Sequence, residues 1–222
     1  MSKFTKIQVL NTLLQQRIVP LYYNKQASVV IKVVETLYNA GIRLFEFTNR
    51  GDFAHDVFKE LVQHSRVSFP ELALGVGSIS DAGTASLYMQ NGADFIVSAS
   101  FREDIAIVCN RRKVPYMPGC ASLTEIGLAE EKGCDIVKLF PGSVYGPGFI
   151  NAILGPQPWT TIMVTGGVDT TQENLSSWFK AGAVCVGMGS NLITNEIVSQ
   201  ENYDLLAKKT KECLQLIADL KS

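Results

Sequence analysis

Residues 136–141 read Ile-Val-Lys-Leu-Phe-Pro. An apolar run this short is typical of a buried strand, yet it carries one charged residue, Lys138, in its middle. An ammonium group in such a strand loses hydration that a lone charge cannot recover. Burial therefore favours the neutral amine, which is the form that attacks carbonyl groups. The alternative is a lysine at a strand end whose long stem carries its charge to solvent.

Similar apolar runs alternate with helical patterns along the whole chain. The predicted strands are Ile18–Tyr22, Ile42–Thr48, Leu72–Val76, Phe95–Ser98, Tyr116–Pro118, Ile136–Phe140, Ile162–Thr165 and Val184–Met188. The predicted helices are 5–16, 27–40, 52–65, 80–91, 102–112, 122–132, 147–154, 170–180 and further segments that end near Leu220. Repeated strand–helix alternation predicts a parallel sheet.

Eight such units favour closure of the sheet into a (β/α)8 TIM barrel, which belongs to the α/β class. We therefore predict one domain over residues 1–222, with an extra helix at its N-terminus. A doubly wound open sheet is the alternative. No GxGxxG motif follows the first strand, which weakens that alternative.

Composition narrows the partners and the cellular location. The formal net charge is −1, which gives no reason to expect nucleic acid or an anionic membrane as a partner. No apolar stretch approaches the ~20 residues that cross a bilayer, and the N-terminus lacks a signal-peptide pattern. We expect a cytoplasmic protein.

The cysteines and histidines argue against metal or thiol chemistry. The five cysteines are widely spaced without a CxxC pair, as expected of reduced core thiols. His55 and His64 are the only histidines, and their spacing places them on opposite faces of one helix. We expect no metal site and no cofactor, so lysine, carboxylate and backbone groups must carry any chemistry.

Side-chain parity brings a carboxylate toward Lys138. In the second strand Phe45 and Phe47 share one face, so Glu46 and Thr48 point to the other. If the aromatic pair packs on the helices, Glu46 lies inside the barrel near its mouth, where this fold places its chemistry. A structural ion pair with Lys138 is the alternative role, although such buried pairs add little net stability. Arg50 follows in the loop, where it could equally be a solvated side chain.

Two glycine-rich segments follow the last two strands. They are 165–168, which contains Thr165, Gly166 and Gly167, and 187–190, which contains Gly189 and Ser190. The loops at these two positions form the usual phosphate site of a TIM barrel, because glycine lets backbone N–H groups approach an anion. Gly-Gly after a strand can also be only a tight turn. A third segment, 75–78, suits a carboxylate at its helix N-terminus.

With these residues assembled, the chain resembles the 2-keto-3-deoxy-6-phosphogluconate (KDPG) and 4-hydroxy-2-oxoglutarate aldolase family from about Arg17 to Thr194. The ordered combination of segments carries this resemblance. The matching segments are Ile18–Pro20, Phe45–Arg50, Gly75–Ile79, Met117–Gly119, Val137–Pro141 and Thr165–Val168.

The resemblance implies a class I (Schiff-base) aldolase, usually a homotrimer, that acts on phosphorylated keto acids and pyruvate without a metal ion. It implies that Lys138 forms the imine and that Glu46 moves protons. Further implied roles are carboxylate binding by Arg50 and Ser78, a pyruvyl pocket lined by Thr165 and Phe140, and phosphate binding by Gly166, Gly167, Gly189 and Ser190.

The chain also departs from the family pattern, which puts the substrate preference in doubt. It has Ser98-Ala99-Ser100 in place of a Pro-Gly pair and Ser78 in place of Thr. Asn49 and Gly51 flank Arg50 where Leu and Thr are common, and Tyr22-Tyr23 is bulkier than usual. Two rival functions stay open: a phosphosugar isomerase or epimerase on the same barrel, and a non-catalytic sugar-acid-binding protein.

Overall fold

The sheet of the computed structural model, which describes residues 2–220, is a barrel of parallel strands. Its strands are β1 Ile18–Tyr22, β2 Leu44–Thr48, β3 Ala73–Gly77, β4 Phe95–Val97, β5 Tyr116–Met117, β6 Gly119–Cys120, β7 Val137–Leu139, β8 Ile162–Thr165 and β9 Cys185–Met188. Their order in the sheet is β5-β4-β3-β2-β1-β9-β8-β7-β6. The prediction of a TIM-barrel fold is confirmed.

Pro118 explains why the described residues form nine strands where the sequence predicts eight. It separates β5, which pairs with β4, from β6, which pairs with β7. Proline has no N–H to donate to a ladder, but its carbonyl accepts a hydrogen bond from the Lys138 N–H at 2.8 Å. The predicted fifth strand is thus two short consecutive strands. They are the first and last strands in the sheet order, so this segment connects the two edges of the sheet.

Helices precede, connect and follow the strands. They are α1 Lys6–Gln16, α2 Ala27–Asn39, α3 Ala54–Ser68, α4 Ala82–Gln90, α5 Glu103–Arg112, α6 Leu123–Glu131, α7 Gly142–Leu154, α8 Gln172–Lys180, α9 Asn195–Ser199 and α10 Tyr203–Asp219. The predicted helix 147–154 begins earlier, at Gly142, and is kinked at Gly146, immediately before Pro147. No described helix is long and apolar enough to cross a membrane.

The buried apolar residues form two clusters, as strand parity predicts. Phe45 and Phe47 belong to the outer cluster between the strands and the helices, while Leu44 belongs to the inner cluster inside the barrel. Val9 and Leu13 of α1 join this inner cluster. The extra N-terminal helix therefore closes the barrel at the end opposite the carboxyl ends of the strands.

Buried Asp94 anchors the segment that leads into α1. Its carboxylate accepts hydrogen bonds from the N–H groups of Lys3 at 2.6 Å, Phe4 at 3.1 Å and Leu74 at 3.0 Å. These charge-assisted bonds hold the start of the chain to β3. The predicted domain, 1–222, also includes Met1, Lys221 and Ser222, which lie outside the described residues.

The cysteines confirm the prediction of reduced core thiols. Cys109, Cys120, Cys134, Cys185 and Cys213 are all free and buried. Burial raises the pKa of Cys109 and of Cys134, each to about 12. These thiols therefore stay protonated near neutral pH and behave as small apolar groups.

Two glycines of β3 leave room for large side chains in the barrel interior. A Cβ atom on Gly75 would overlap the ring of Phe95, and a Cβ atom on Gly77 would overlap Glu46 Oε1. Glycine is required at both positions, because the packed interior has no room for an added methyl group.

We expect Gly75→Ala to lower the free energy of unfolding by roughly 1–3 kcal/mol, because it overpacks the interior beside Phe95. Gly127→Ala is the matched control, since its Cβ meets nothing within 4 Å in α6. That change should be neutral or stabilise by about 0.5–1 kcal/mol, the usual gain when alanine replaces glycine in a helix. Urea titrations measure both. Equal effects of the two substitutions would contradict this packing.

Candidate active site

A cleft of about 330 Å³ opens at the carboxyl ends of the strands. This is the end of the barrel at which the fold places binding and catalysis. The lining includes seven residues that the sequence predicts for the site, namely Arg50, Phe140, Thr165, Gly166, Gly167, Gly189 and Ser190. The barrel closure thus brings together residues from β2, β7, β8 and β9 and from the loops that follow them.

Lys138 lies at the centre of β7, below this cleft. Its side chain shares the interior face with Ile136, and the residue is 6% exposed. The Nζ atom is 4.8 Å from the centre of the Phe140 ring, which itself lines the cleft. Neither Lys138 nor Glu46 is itself among the residues that line the cleft. The low exposure of Lys138 argues against the alternative of a side chain that reaches bulk solvent.

Glu46 lies on β2 inside the same barrel, as predicted, and is 2% exposed. Its atom Oε2 has no hydrogen-bond partner among residues 2–220. Burial raises the pKa of this carboxyl, and the positive charges of Lys138 and Arg50 partly offset the increase. The carboxylate therefore holds a proton more tightly than an ordinary glutamate does.

Glu46 and Lys138 do not form a close ion pair. The ion pairs within the described part of the chain involve other residues, such as Lys6 with Asp135 and Arg43 with Glu71. A structural pair would need direct hydrogen bonds to recover the hydration that both charges lose on burial. The alternative of a structural ion pair is therefore not supported by a direct contact in the described chain.

Thr165 supplies a second buried polar atom without a partner. It ends β8, and its Oγ1 forms no hydrogen bond with another described residue. A Cβ on Gly187 of β9 would lie 2.5 Å from this oxygen, so glycine leaves the space that the buried hydroxyl occupies. Buried polar atoms without partners are rare in folded proteins, and in this cleft they are available to a ligand.

The glycine-rich loops meet at one side of the cleft. Gly166 and Gly167 both have positive φ, +88° and +77°, a conformation that glycine adopts without strain. The loop after β8 is joined to the loop after β9 by Asn191, whose Nδ2 donates to the Val168 carbonyl at 2.8 Å. Both loops, together with Ser190, therefore lie in the lining of the same cleft.

Arg50 and Ser78 differ in their placement. Arg50 is exposed and lines the cleft, whereas Ser78 is exposed after β3 and is not part of the cleft lining. Sequence reasoning did not select Asn191 or Asn195, which the structure adds to the lining. Both could have been identified from the sequence by their position in the segment that follows the last strand, just after Ser190.

No group of three His, Cys, Asp or Glu residues in the described part of the chain could hold a metal ion. The two histidines lie in α3. The Nε2 atom of His55 is 3.8 Å from Asp56 Oδ1, and the ring of His64 packs against Phe69. Neither belongs to the cleft lining.

Comparison with known proteins places this chain in a family. A model for KDPG and KHG aldolases matches residues 9–209. The 2-dehydro-3-deoxy-phosphogluconate aldolase of Haemophilus influenzae is 26% identical over 215 residues, which are 96% of this chain and 99% of that protein. The 2-dehydro-3-deoxy-6-phosphogalactonate aldolase of Escherichia coli is 33% identical over 124 residues, or 54% of this chain and 58% of the relative.

A solved structure supports the same fold. The crystal structure of KDPG aldolase from Legionella pneumophila, with pyruvate captured as a covalent carbinolamine intermediate, superposes with a TM-score of 0.82. It is 23% identical and covers 90% of this chain and 95% of its own. At this identity the likeness establishes the shared fold.

The raised pKa of Glu46 predicts how stability depends on pH. The unfolded carboxyl titrates near 4.5 and the folded one at a higher pH, so the folded state binds the proton more tightly. Raising the pH from below 4.5 through the folded pKa should therefore destabilise the wild type relative to Glu46→Gln, which cannot ionise. Urea unfolding of both proteins from pH 4 to 8 measures the difference. A difference that stays constant over this range would contradict the prediction.

Proposed function

This chain belongs to the KDPG and KHG aldolase family, and from that premise we propose that it is a class I aldolase that works through a Schiff base. Its substrate is KDPG or a related 4-hydroxy-2-keto acid such as 4-hydroxy-2-oxoglutarate. The products are pyruvate and an aldehyde, which is glyceraldehyde 3-phosphate when KDPG is cleaved. The observation that supports this proposal is one buried lysine and one buried carboxylate with an unpaired oxygen, both inside the barrel whose cleft is lined by seven of the other predicted site residues.

Lys138 is the nucleophile in this mechanism. Its Nζ attacks the C2 carbonyl, and the resulting carbinolamine loses water to give a protonated imine. The imine draws in the electron pair of the C3–C4 bond, which breaks to leave an enamine and an aldehyde. Protonation of the enamine at C3 and hydrolysis of the imine then release pyruvate and regenerate the lysine. The imine itself is the electron sink, so the chemistry requires no metal ion or cofactor.

Glu46 carries the protons. As the C3–C4 bond breaks, the C4 hydroxyl must lose its proton, and Glu46 accepts it as the general base. Earlier in the cycle the same group, in its protonated form, gives the proton with which the carbinolamine hydroxyl leaves as water, and this step leaves Glu46 as the carboxylate that acts in cleavage. A pKa raised by burial suits a group that both takes and gives a proton, because its two states then lie closer in energy at neutral pH.

The remaining site residues hold the substrate in this proposal. Arg50 binds the carboxylate of the keto acid, assisted by the loop at Ser78. Phe140 and Thr165 line the pyruvyl pocket. The distal phosphate binds to the loops that contain Gly166, Gly167, Gly189 and Ser190, because glycine lets backbone N–H groups approach an anion.

We place the enzyme in the cytoplasm, in sugar-acid breakdown of the Entner–Doudoroff type, and propose that it assembles as a homotrimer, as the family resemblance implies. Its partners are then small phosphorylated keto acids and pyruvate. The trimer has no independent support in the sequence.

We expect Lys138→Ala and Lys138→Arg to abolish turnover, because neither variant retains the amine that forms the imine. Incubation of wild type with pyruvate and sodium borohydride, followed by peptide mass spectrometry, should place a reduced pyruvyl group on Lys138. Unmodified Lys138 in folded protein, or activity retained by purified Lys138→Ala, would remove the Schiff-base mechanism. The two alternative functions, an isomerase or epimerase and a non-catalytic binding protein, would then be favoured.

Glu46→Gln is the matched contrast to these lysine variants. It keeps the size of the side chain and should still allow some trapping of pyruvate on Lys138. Its turnover should fall by about a hundred- to ten-thousand-fold, the usual contribution of a general acid–base group. Wild-type turnover in this variant would exclude Glu46 as the base without affecting the role of Lys138.

Ser190 tests the phosphate site separately. Ser190→Ala should raise KM for a phosphorylated substrate by about five- to tenfold, because one hydrogen bond to the anion is lost. KM for 4-hydroxy-2-oxoglutarate, which carries no phosphate, should stay unchanged. Steady-state kinetics on both substrates give the comparison, and an equal effect on both would place the phosphate elsewhere.

A further inference from the structure

Four aromatic rings form a continuous chain beside the cleft, between β1, β2, α3 and α4. Tyr23 meets Phe47 edge-on, with 5.7 Å between ring centres. Phe47 packs on Phe58 at 5.7 Å, and Phe58 meets Tyr88 edge-on at 5.3 Å. Contacts of this geometry hold each ring in a defined orientation. The chain is therefore a rigid support with a tyrosine hydroxyl at each end.

Both hydroxyls reach the same short loop, residues 49–51. The Tyr88 hydroxyl donates to Asn49 Oδ1 at 2.8 Å, and the Asn49 N–H donates to the Gly77 carbonyl at 2.9 Å. At the other side of the loop, a Cβ on Gly51 would lie only 2.9 Å from the Tyr23 hydroxyl oxygen. The loop is thus held on one side by a hydrogen bond, and on the other side Gly51 leaves no room for a side chain beside the Tyr23 hydroxyl.

Arg50 is the residue between these two supports. It lines the cleft and is exposed, and its guanidinium forms no hydrogen bond or ion pair with another residue of the described chain. A long side chain without a fixed partner depends on its backbone for direction, and an unrestrained arginine gives up considerable rotamer entropy when it binds. The backbone conformation of residues 49–51 therefore determines which positions the Arg50 guanidinium can reach.

We propose that Tyr88 and Tyr23 are positioning residues for Arg50, which they direct into the cleft through Asn49 and Gly51. This inference rests on the proposed function, in which Arg50 binds the carboxylate of the keto acid. Tyr88 acts on substrate affinity through the loop, whereas Tyr23 itself also lines the cleft beside that loop. They take no part in proton transfer, because Lys138 and Glu46 lie in the barrel interior below.

The test removes one hydroxyl at a time, in Tyr88→Phe and in Tyr23→Phe. Tyr38→Phe is the matched control, since Tyr38 packs on Phe69 and Arg43 near the end of α2, at the opposite end of the barrel. We expect Tyr88→Phe to raise KM for the keto acid about three- to tenfold, as the loss of one hydrogen bond predicts, with kcat nearly unchanged. Hydrogen exchange at the amides of residues 49–51 should become faster in both variants and stay unchanged in the control.

A double-mutant cycle tests the hydrogen bond itself. Asn49→Ala alone should match Tyr88→Phe in its effect on KM, and the double variant should be no worse than either single one. Gly51→Ala tests the other side of the loop: its effect should be smaller in the Tyr23→Phe background, where the oxygen that its Cβ would meet is gone.

Three results would overturn the proposal. They are unchanged exchange at residues 49–51 in both tyrosine variants, faster exchange with unchanged KM, and additive effects in the Tyr88–Asn49 cycle. Borohydride trapping of pyruvate on Lys138 in wild type is run alongside and measures the proposed function by itself. If pyruvate is not trapped on Lys138 of the wild-type protein, the proposed aldolase mechanism is wrong, and so is the carboxylate-binding role of Arg50. If trapping succeeds, the three results above bear on the tyrosines alone.

Discussion

A nearly inaccessible carboxylate inside a closed barrel is the constraint on which the rest of this structure depends. Glu46 has 2% exposure and an oxygen without a protein partner, so its ionised form loses several kcal/mol of hydration relative to water. Only the charges of Lys138 and Arg50 offset that loss. The arrangement is unfavourable for stability alone, and it leaves a buried carboxyl whose pKa lies above its ordinary value.

The barrel accommodates this carboxylate by making space around it with glycine. Gly77 on β3 leaves the volume that the Glu46 side chain occupies, and Gly187 on β9 leaves the volume that the Thr165 hydroxyl occupies. The opposite end of the interior is filled by Val9 and Leu13 of α1 together with residues such as Leu44. One end of the barrel is therefore tightly packed and apolar, while the other carries polar atoms toward the cleft.

Local pattern was enough to predict much of this arrangement. The bounds of β1 and β8 agree with those predicted, because short apolar runs between turn residues define a strand directly. The inward direction of Glu46 followed from the aromatic parity of β2. The split at Pro118 and the early start of α7 at Gly142 were not predicted, since both depend on hydrogen bonds that form only in the folded chain.

The sequence by itself determined the alternation of strands and helices, the faces of Glu46 and Lys138, and the glycine loops after β8 and β9, because each is encoded within a few consecutive residues. The tertiary structure alone decided which of these meet. It left Ser78 outside the cleft lining, joined the two glycine loops through Asn191, and brought Tyr23 and Tyr88 to one loop. Such contacts join residues far apart in the chain, and their distances are set by barrel closure and ring packing, which no local pattern contains.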